Sequence, residues 1–170
     1  MSTELQAKLE TTTLGQWQAR QIVKSANIMA TFVESTPEDK LRWKPAIDES
    51  SKTRSVLEQV GECIFANIRF RHVFLGETPP QPPAEWDTFT SAAEATTQLK
   101  ETAKQLAEVI AKLDAAGLAK EYNTHRGPMP GALAMQFPVR NMTYHMGQIN
   151  MIQLLYGDTA FHIDEEFTTL

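Results

Sequence analysis

Apolar residues recur along this chain at helical spacing, and no stretch alternates in the manner of a half-buried strand. Leu14, Trp17, Ile22, Met29, Phe32 and Val33 fall on one broad stripe, which predicts a first helix over about residues 14–35. Thr36-Pro37 stops it, because proline disfavours helical geometry in the residue before it. Pro37 then suits the first turn of a short helix over Glu38 to Leu41, and Trp43-Lys44-Pro45 reads as a loop. Val56, Val60, Cys63, Ile64 and Phe70 continue on one face of a second helix, over about residues 53–75. Its start has two candidates: Thr53 as N-cap, or Ser55 with Glu58 as a capping box one register later.

Gly76 to Pro83 carries four prolines, which remove amide donors and clash with preceding turns, so this segment connects helices rather than joining one. Ser91 and Glu94 repeat the capping-box pattern and open an Ala-, Gln-, Lys- and Glu-rich third helix over about residues 91–115, ended by Gly117. Leu118 to Gly131, with Gly127, Pro128, Pro130 and Gly131, is expected to be an irregular crossover and not a strand pair. Val139, Met142, Ile149, Ile152 and Leu155 mark a fourth helix over about residues 138–156, which Pro138 opens or kinks and Gly157-Asp158 ends. The tail from Thr159 reads as irregular. Four long amphipathic helices without an internal repeat predict an all-α, four-helix bundle with long crossover connections. At 170 residues and 42% hydrophobic content, residues 1–170 are expected to build one domain around one core.

Composition narrows the expected partners. With 16 basic against 21 acidic residues, the net charge is −5, and no Lys/Arg cluster has the length of a phosphate-reading patch, so nucleic acid is not expected as a partner. No apolar run approaches the roughly 20 residues that cross a bilayer, and Met1-Ser2-Thr3-Glu4-Leu5 lacks a basic segment followed by an apolar one. The expectation is a cytoplasmic protein without a membrane partner. Cys63, the single cysteine, has no internal disulfide partner and no base fixed near it by sequence, so an inert buried thiol is expected.

The segment richest in candidate chemistry is Pro138-Val139-Arg140-Asn141-Met142-Thr143-Tyr144-His145-Met146-Gly147-Gln148-Ile149. Asn141 and His145 stand four apart and Gln148 follows three later, so one helical face presents three polar side chains beside an apolar stripe. A second segment is Arg54-Ser55-Val56-Leu57-Glu58-Gln59-Val60-Gly61-Glu62-Cys63. His72, His125 and His162 have no partner at ligand spacing and read as surface or loop histidines, and Asp164-Glu165-Glu166 as a solvated tail. A Gly-rich phosphate loop, a Gly-x-Ser-x-Gly elbow and the Glu-x-x-His pairs of di-iron bundles are all absent from the sequence.

Together these two segments resemble the DinB/YfiT-like superfamily. Its last helix carries a His, three spacers and a second His leading into Gly-Gln, and its second helix carries a His seven residues after a serine. Here Asn141 holds the first of those positions, His145 the second, and Glu62 the third. The resemblance implies a dimeric four-helix bundle in which three histidines bind a divalent metal, with some members acting as thiol-dependent transferases or isomerases. Carried over, it implies an altered ligand set of Glu62, Asn141 and His145, for zinc, nickel or manganese. Glu62 is a good anionic ligand, whereas an Asn141 amide oxygen is weak toward zinc and better matched to harder ions.

Two functions follow from that set. One is a divalent-metal-dependent transferase or hydrolase acting on a small thiol or related substrate. The other is a non-catalytic homodimeric bundle that binds a small ligand or has lost the metal, its Glu62, Asn141 and His145 satisfying one another by hydrogen bonds. Gln148 either orients a ligand or closes a helix–helix hydrogen bond, and Tyr144 stands at a pocket rim or packs there. Periodicity alone sets Glu62 beside Glu58 and Arg69 on a solvated face; only the resemblance draws it inward.

Overall fold

The computed structural model describes residues 12–45 and 52–163; the acidic run at 164–166 lies outside them. Helix α1 spans Leu14–Glu34 and starts in a capping box that the sequence reading did not single out: the Thr13 hydroxyl accepts from the Gln16 amide, and the Gln16 side chain accepts from the Thr13 amide. A 3-10 turn over Glu38–Lys40 follows Pro37. Helix α2 spans Val56–Leu75 and starts from Ser55, with the Ser55–Glu58 box fully formed and Thr53 left outside the helix. Burial raises the Glu58 carboxyl, but its bonds to Lys44 and Ser55 outweigh that and hold it below the usual carboxylate range. Gly76 ends α2 at φ 74°, a left-handed conformation that glycine adopts without Cβ strain.

Helix α3 spans Ala92–Ile110. Ser91 accepts from the Glu94 amide, whereas the Glu94 carboxylate turns back to the amide and hydroxyl of Thr90, so the expected box is half made. The helix stops short of residue 115, with Ala111 as its C-cap, and the Asp114 carboxylate accepts from the Gly117 amide to cap a separate short helix α4, Ala115–Ala119.

The expectation of an irregular crossover after Leu118 is corrected by an antiparallel hairpin, β1 over Glu121–Thr124 and β2 over Gly127–Pro130, with Tyr122 opposite Met129. His125 and Arg126 form its two-residue tip, and Gly127 follows at φ 96°. Counting from that tip, Pro128 and Pro130 fall on alternate positions of an edge strand, where a missing amide costs no ladder bond. Tyr122 is buried with its ring 4.8 Å from that of Phe74, which fixes the hairpin on the C-terminal end of α2. Helix α5, Gly131–Ala134, leads into α6, Phe137–Leu155, whose first turn contains Pro138, so the proline opens the helix.

The four long helices close a ring: α1 packs on α3 and α6, and α2 packs on the same two. Ile22, Met29, Leu57, Val60, Leu99, Leu106, Met142 and Ile149 are fully buried between them. Each such side chain stabilises the fold by roughly 1.5–3 kcal/mol relative to exposure. Buried Gln153 of α6 donates to the Phe32 carbonyl at 2.9 Å, an acceptor in the last turn of α1 that the Ser35 and Thr36 hydroxyls also reach. The connection before α3 lies directly on α2, since a Cβ at Gly61 would stand 1.9 Å from the Trp86 carbonyl oxygen. Among the described residues, no helix is long and apolar enough to cross a membrane.

Candidate functional site between α2 and α6

Spacing on two packed helices assembles the site. Gln59 and Glu62 are three apart on α2, His145 and Gln148 three apart on α6, so each pair occupies one face, and the two faces meet. His145 is 3% exposed. Its Nδ1 contacts the side-chain oxygens of Gln59 and, at 2.9 Å, Gln148, while its Nε2 lies 3.5 Å from Glu62 Oε2. Glu62, with 27% of its side chain exposed, is also ion-paired with Arg54. Glu62, which periodicity alone set on a solvated face, is partly exposed, and its carboxylate reaches the seam between the two helices.

Burial, the larger effect, pushes the His145 imidazole down to about 4, opposed by the bond its Nδ1 donates to the Gln148 side-chain oxygen; the Arg54 charge lowers it further. The ring is therefore neutral at pH 7. Two amide oxygens at Nδ1 call for a donor there, which puts the single proton on Nδ1 and leaves the Nε2 lone pair facing the carboxylate. Two lone-pair donors then face each other with no proton between them. Such an arrangement is relieved by a cation, and Arg54 supplies one charge of that kind.

The same pair has the spacing of metal ligands, since two atoms at about 2.1 Å from a tetrahedral ion are roughly 3.4 Å apart. Among the described residues, no cluster of three His, Cys, Asp or Glu side chains has metal-binding geometry. Further donors would be an amide oxygen or water. Asn141, one turn before His145, has a buried Oδ1 without a hydrogen-bond partner among the described residues.

Glu62 forms a wall between two cavities. One, of about 490 Å³, is bordered by Arg54, Gln59, His145, Gln148 and Tyr144, the last 65% exposed at the mouth. The other, of about 280 Å³, is bordered by Asn141, Arg69, Trp86, Arg126 and Phe137. The structure thus joins Glu62, His145, Gln148 and Tyr144 around one cavity and sets Asn141 on the neighbouring one. Cys63 is buried, and desolvation raises its thiol far above the usual range, consistent with an inert side chain. His72 and His162 pair locally with Glu77 and Asp158, and His125 is exposed at the hairpin tip.

Sequence reasoning gave no role to Gln59 or Arg54, although Gln59–Glu62 repeats the polar i, i+3 spacing of His145–Gln148. Trp86 and Arg126 reach the site from a loop and a hairpin, and no local pattern points to them.

A mostly helical, all-α fold carries this His-centred polar pocket. The DinB superfamily profile matches residues 21–149, and the chain belongs to that superfamily. Among solved structures it is similar to the colibactin self-resistance protein ClbS, determined in complex with a dsDNA, at a TM-score of 0.62 and 16% identity over 82% of this chain and 95% of that one. No curated protein matches the chain.

That neighbour corrects one expectation. Nucleic acid was excluded on a net charge of −5 and the lack of a contiguous basic run, yet a protein of this fold is found with dsDNA bound. Net charge averages over the whole surface and does not by itself exclude such a partner.

Proposed function

We propose that this DinB-superfamily chain is a small-molecule pocket protein in which Glu62 and His145 hold a divalent cation at the floor of the 490 Å³ cavity. The 3.5 Å approach of Glu62 Oε2 to His145 Nε2 carries this reading, because it sets two ligand atoms at the spacing of neighbours around one ion. A mixed carboxylate–imidazole pair, with water to complete the shell and Asn141 set on the neighbouring cavity, favours manganese or zinc over an ion that demands soft ligands. Gln59 and Gln148 fix the imidazole tautomer so that Nε2 presents its lone pair. Arg54 steadies the carboxylate, and Tyr144 stands where a ligand enters. A bound cation would supply Lewis-acid polarisation of a thiol or carbonyl group on that ligand, as a transferase or hydrolase requires.

The Arg54–Glu62 ion pair favours a second reading, a metal-free binding pocket, because the guanidinium already neutralises the carboxylate. Metal analysis separates the two. The first predicts a stoichiometric ion in native or reconstituted protein and a melting temperature raised by zinc, nickel or manganese. Metal-free protein whose melting temperature none of the three ions moves would leave the second.

The exposed side chains of Tyr144, Met151 and Leu155 run along one face of α6 beside the cavity mouth. They support a homodimer in which a second copy covers that face.

A further inference from the structure

The cavity on the far side of Glu62 has a different character. Arg69 of α2 and Arg126 at the hairpin tip both border it, and neither has a carboxylate partner among the described residues, whereas Arg42 pairs with Asp87 and Arg54 with Glu62. Each guanidinium lies over an aromatic face: Arg69 is 5.9 Å from the Phe65 centroid and Arg126 is 5.6 Å from that of Phe137. Those rings are themselves fixed, Phe137 by stacking on Phe70 at 5.8 Å and Phe65 by edge contact with Trp86 at 5.6 Å. A cation–π contact of this kind holds a guanidinium near the ring without using its N–H donors on an acceptor.

Those donors remain available. Arg69 Nε is buried with no hydrogen-bond partner among the described residues, and leaving a charged donor dry and unmatched is costly. Arg126 spends only Nε, on His125 at 3.4 Å. His125 also borders this cavity, and its imidazole is lowered first by partial burial and then by the charges of Arg69 and Arg126. Glu62 also borders the cavity, but Arg54 compensates its charge.

We propose that Arg69 and Arg126 form a binding site for a phosphate group, carried either by a nucleic-acid backbone or by a free small phosphate. One guanidinium fork satisfies both oxygens of a carboxylate, whereas two forks arriving from separate elements match the several terminal oxygens and larger charge of a phosphate. The site does not depend on a cation at Glu62 and His145.

The test titrates the full chain, with chelator present, with inorganic phosphate and separately with a 12-base-pair DNA duplex. Wild type, Arg69→Gln, Arg126→Gln and the control Arg20→Gln are compared. Wild type is expected to bind at least one probe, with affinity lowered about tenfold or more by either cavity substitution and unchanged by the control, as for loss of a charge-assisted contact. If the duplex binds, each substitution should reduce the slope of log affinity against log salt by about 1, which identifies backbone phosphate. Binding of inorganic phosphate alone, lost in the same variants, identifies the free species. Failure of wild type to bind either probe, or equal binding by wild type and both variants, overturns the proposal. Arg126 is exposed at a hairpin tip, so its variant remains informative if Arg69→Gln does not fold.

Discussion

Across the seam between α2 and α6, Glu62 Oε2 and His145 Nε2 stand 3.5 Å apart, one on a carboxylate tied to Arg54 and the other on a neutral, buried ring. Most of what the site can do follows from which atom of that ring carries the proton.

Gln59 and Gln148 oxygens at Nδ1 require the Nδ1–H tautomer. Long-range proton–nitrogen NMR spectra of chelator-treated protein at pH 7 should show His145 protonated on Nδ1 alone. Gln148→Leu should weaken that preference. An Nε2–H tautomer in wild type would mean that the ring donates to Glu62 and presents no lone pair to a cation.

Acid should destabilise the metal-free protein through the same ring. The folded value near 4 lies below the ordinary 6.5, so the unfolded chain binds the extra proton first. Stability from this group is complete above pH 6.5, falls as the pH drops toward 4, and levels off below. At 1.36 kcal/mol per unit the loss is about 3 kcal/mol at most. Melting temperatures across that window, with His145→Gln as the comparison, should show a steeper decline in wild type.

Gly61→Ala should destabilise the fold by about 1–3 kcal/mol, the range for forcing an extra carbon into a packed interior. The added Cβ meets the Trp86 carbonyl oxygen, a backbone atom that yields only if the connection moves. Because the Arg54 guanidinium lies over the Trp86 ring, 5.2 Å from its centroid, the displacement should also disturb the cavity. Chemical denaturation gives the first effect. A wild-type midpoint in the variant would show that the connection does not rest on α2.

Leu155→Arg should leave the chain monomeric with an unchanged helical spectrum if the proposed homodimer uses the face on which Leu155 is 57% exposed. Light scattering reads the mass directly. A wild-type monomer, or a dimer indifferent to the substitution, would remove that face from consideration.

How much of this was legible in the sequence depended on how local the signal was. Ser55–Glu58 and Gly76 marked the ends of α2 because caps act within a few residues. Asp114, which caps a separate short helix, acts equally locally, but the Ala- and Leu-rich residues around it read as a continuation of the preceding helix. The hairpin at 121–130 was hidden by its prolines, which argue against a central strand and say nothing against an edge. Glu62 shows the limit of periodicity: its wheel position is solvated, and the polar partner that makes it part of a site is 83 residues away on α6. The arginine pair is less local still, since Arg69 and Arg126 meet only once the hairpin folds onto α2.

Calorimetric titration of chelator-stripped wild type, Glu62→Gln and His145→Gln with zinc and manganese tests the central pairing most directly. One ion per chain in wild type, with affinity lowered at least about tenfold in each variant, as losing one ligand of a small set entails, is the predicted result. Equal binding by all three proteins, or none by wild type, would contradict a cation held between residues 62 and 145.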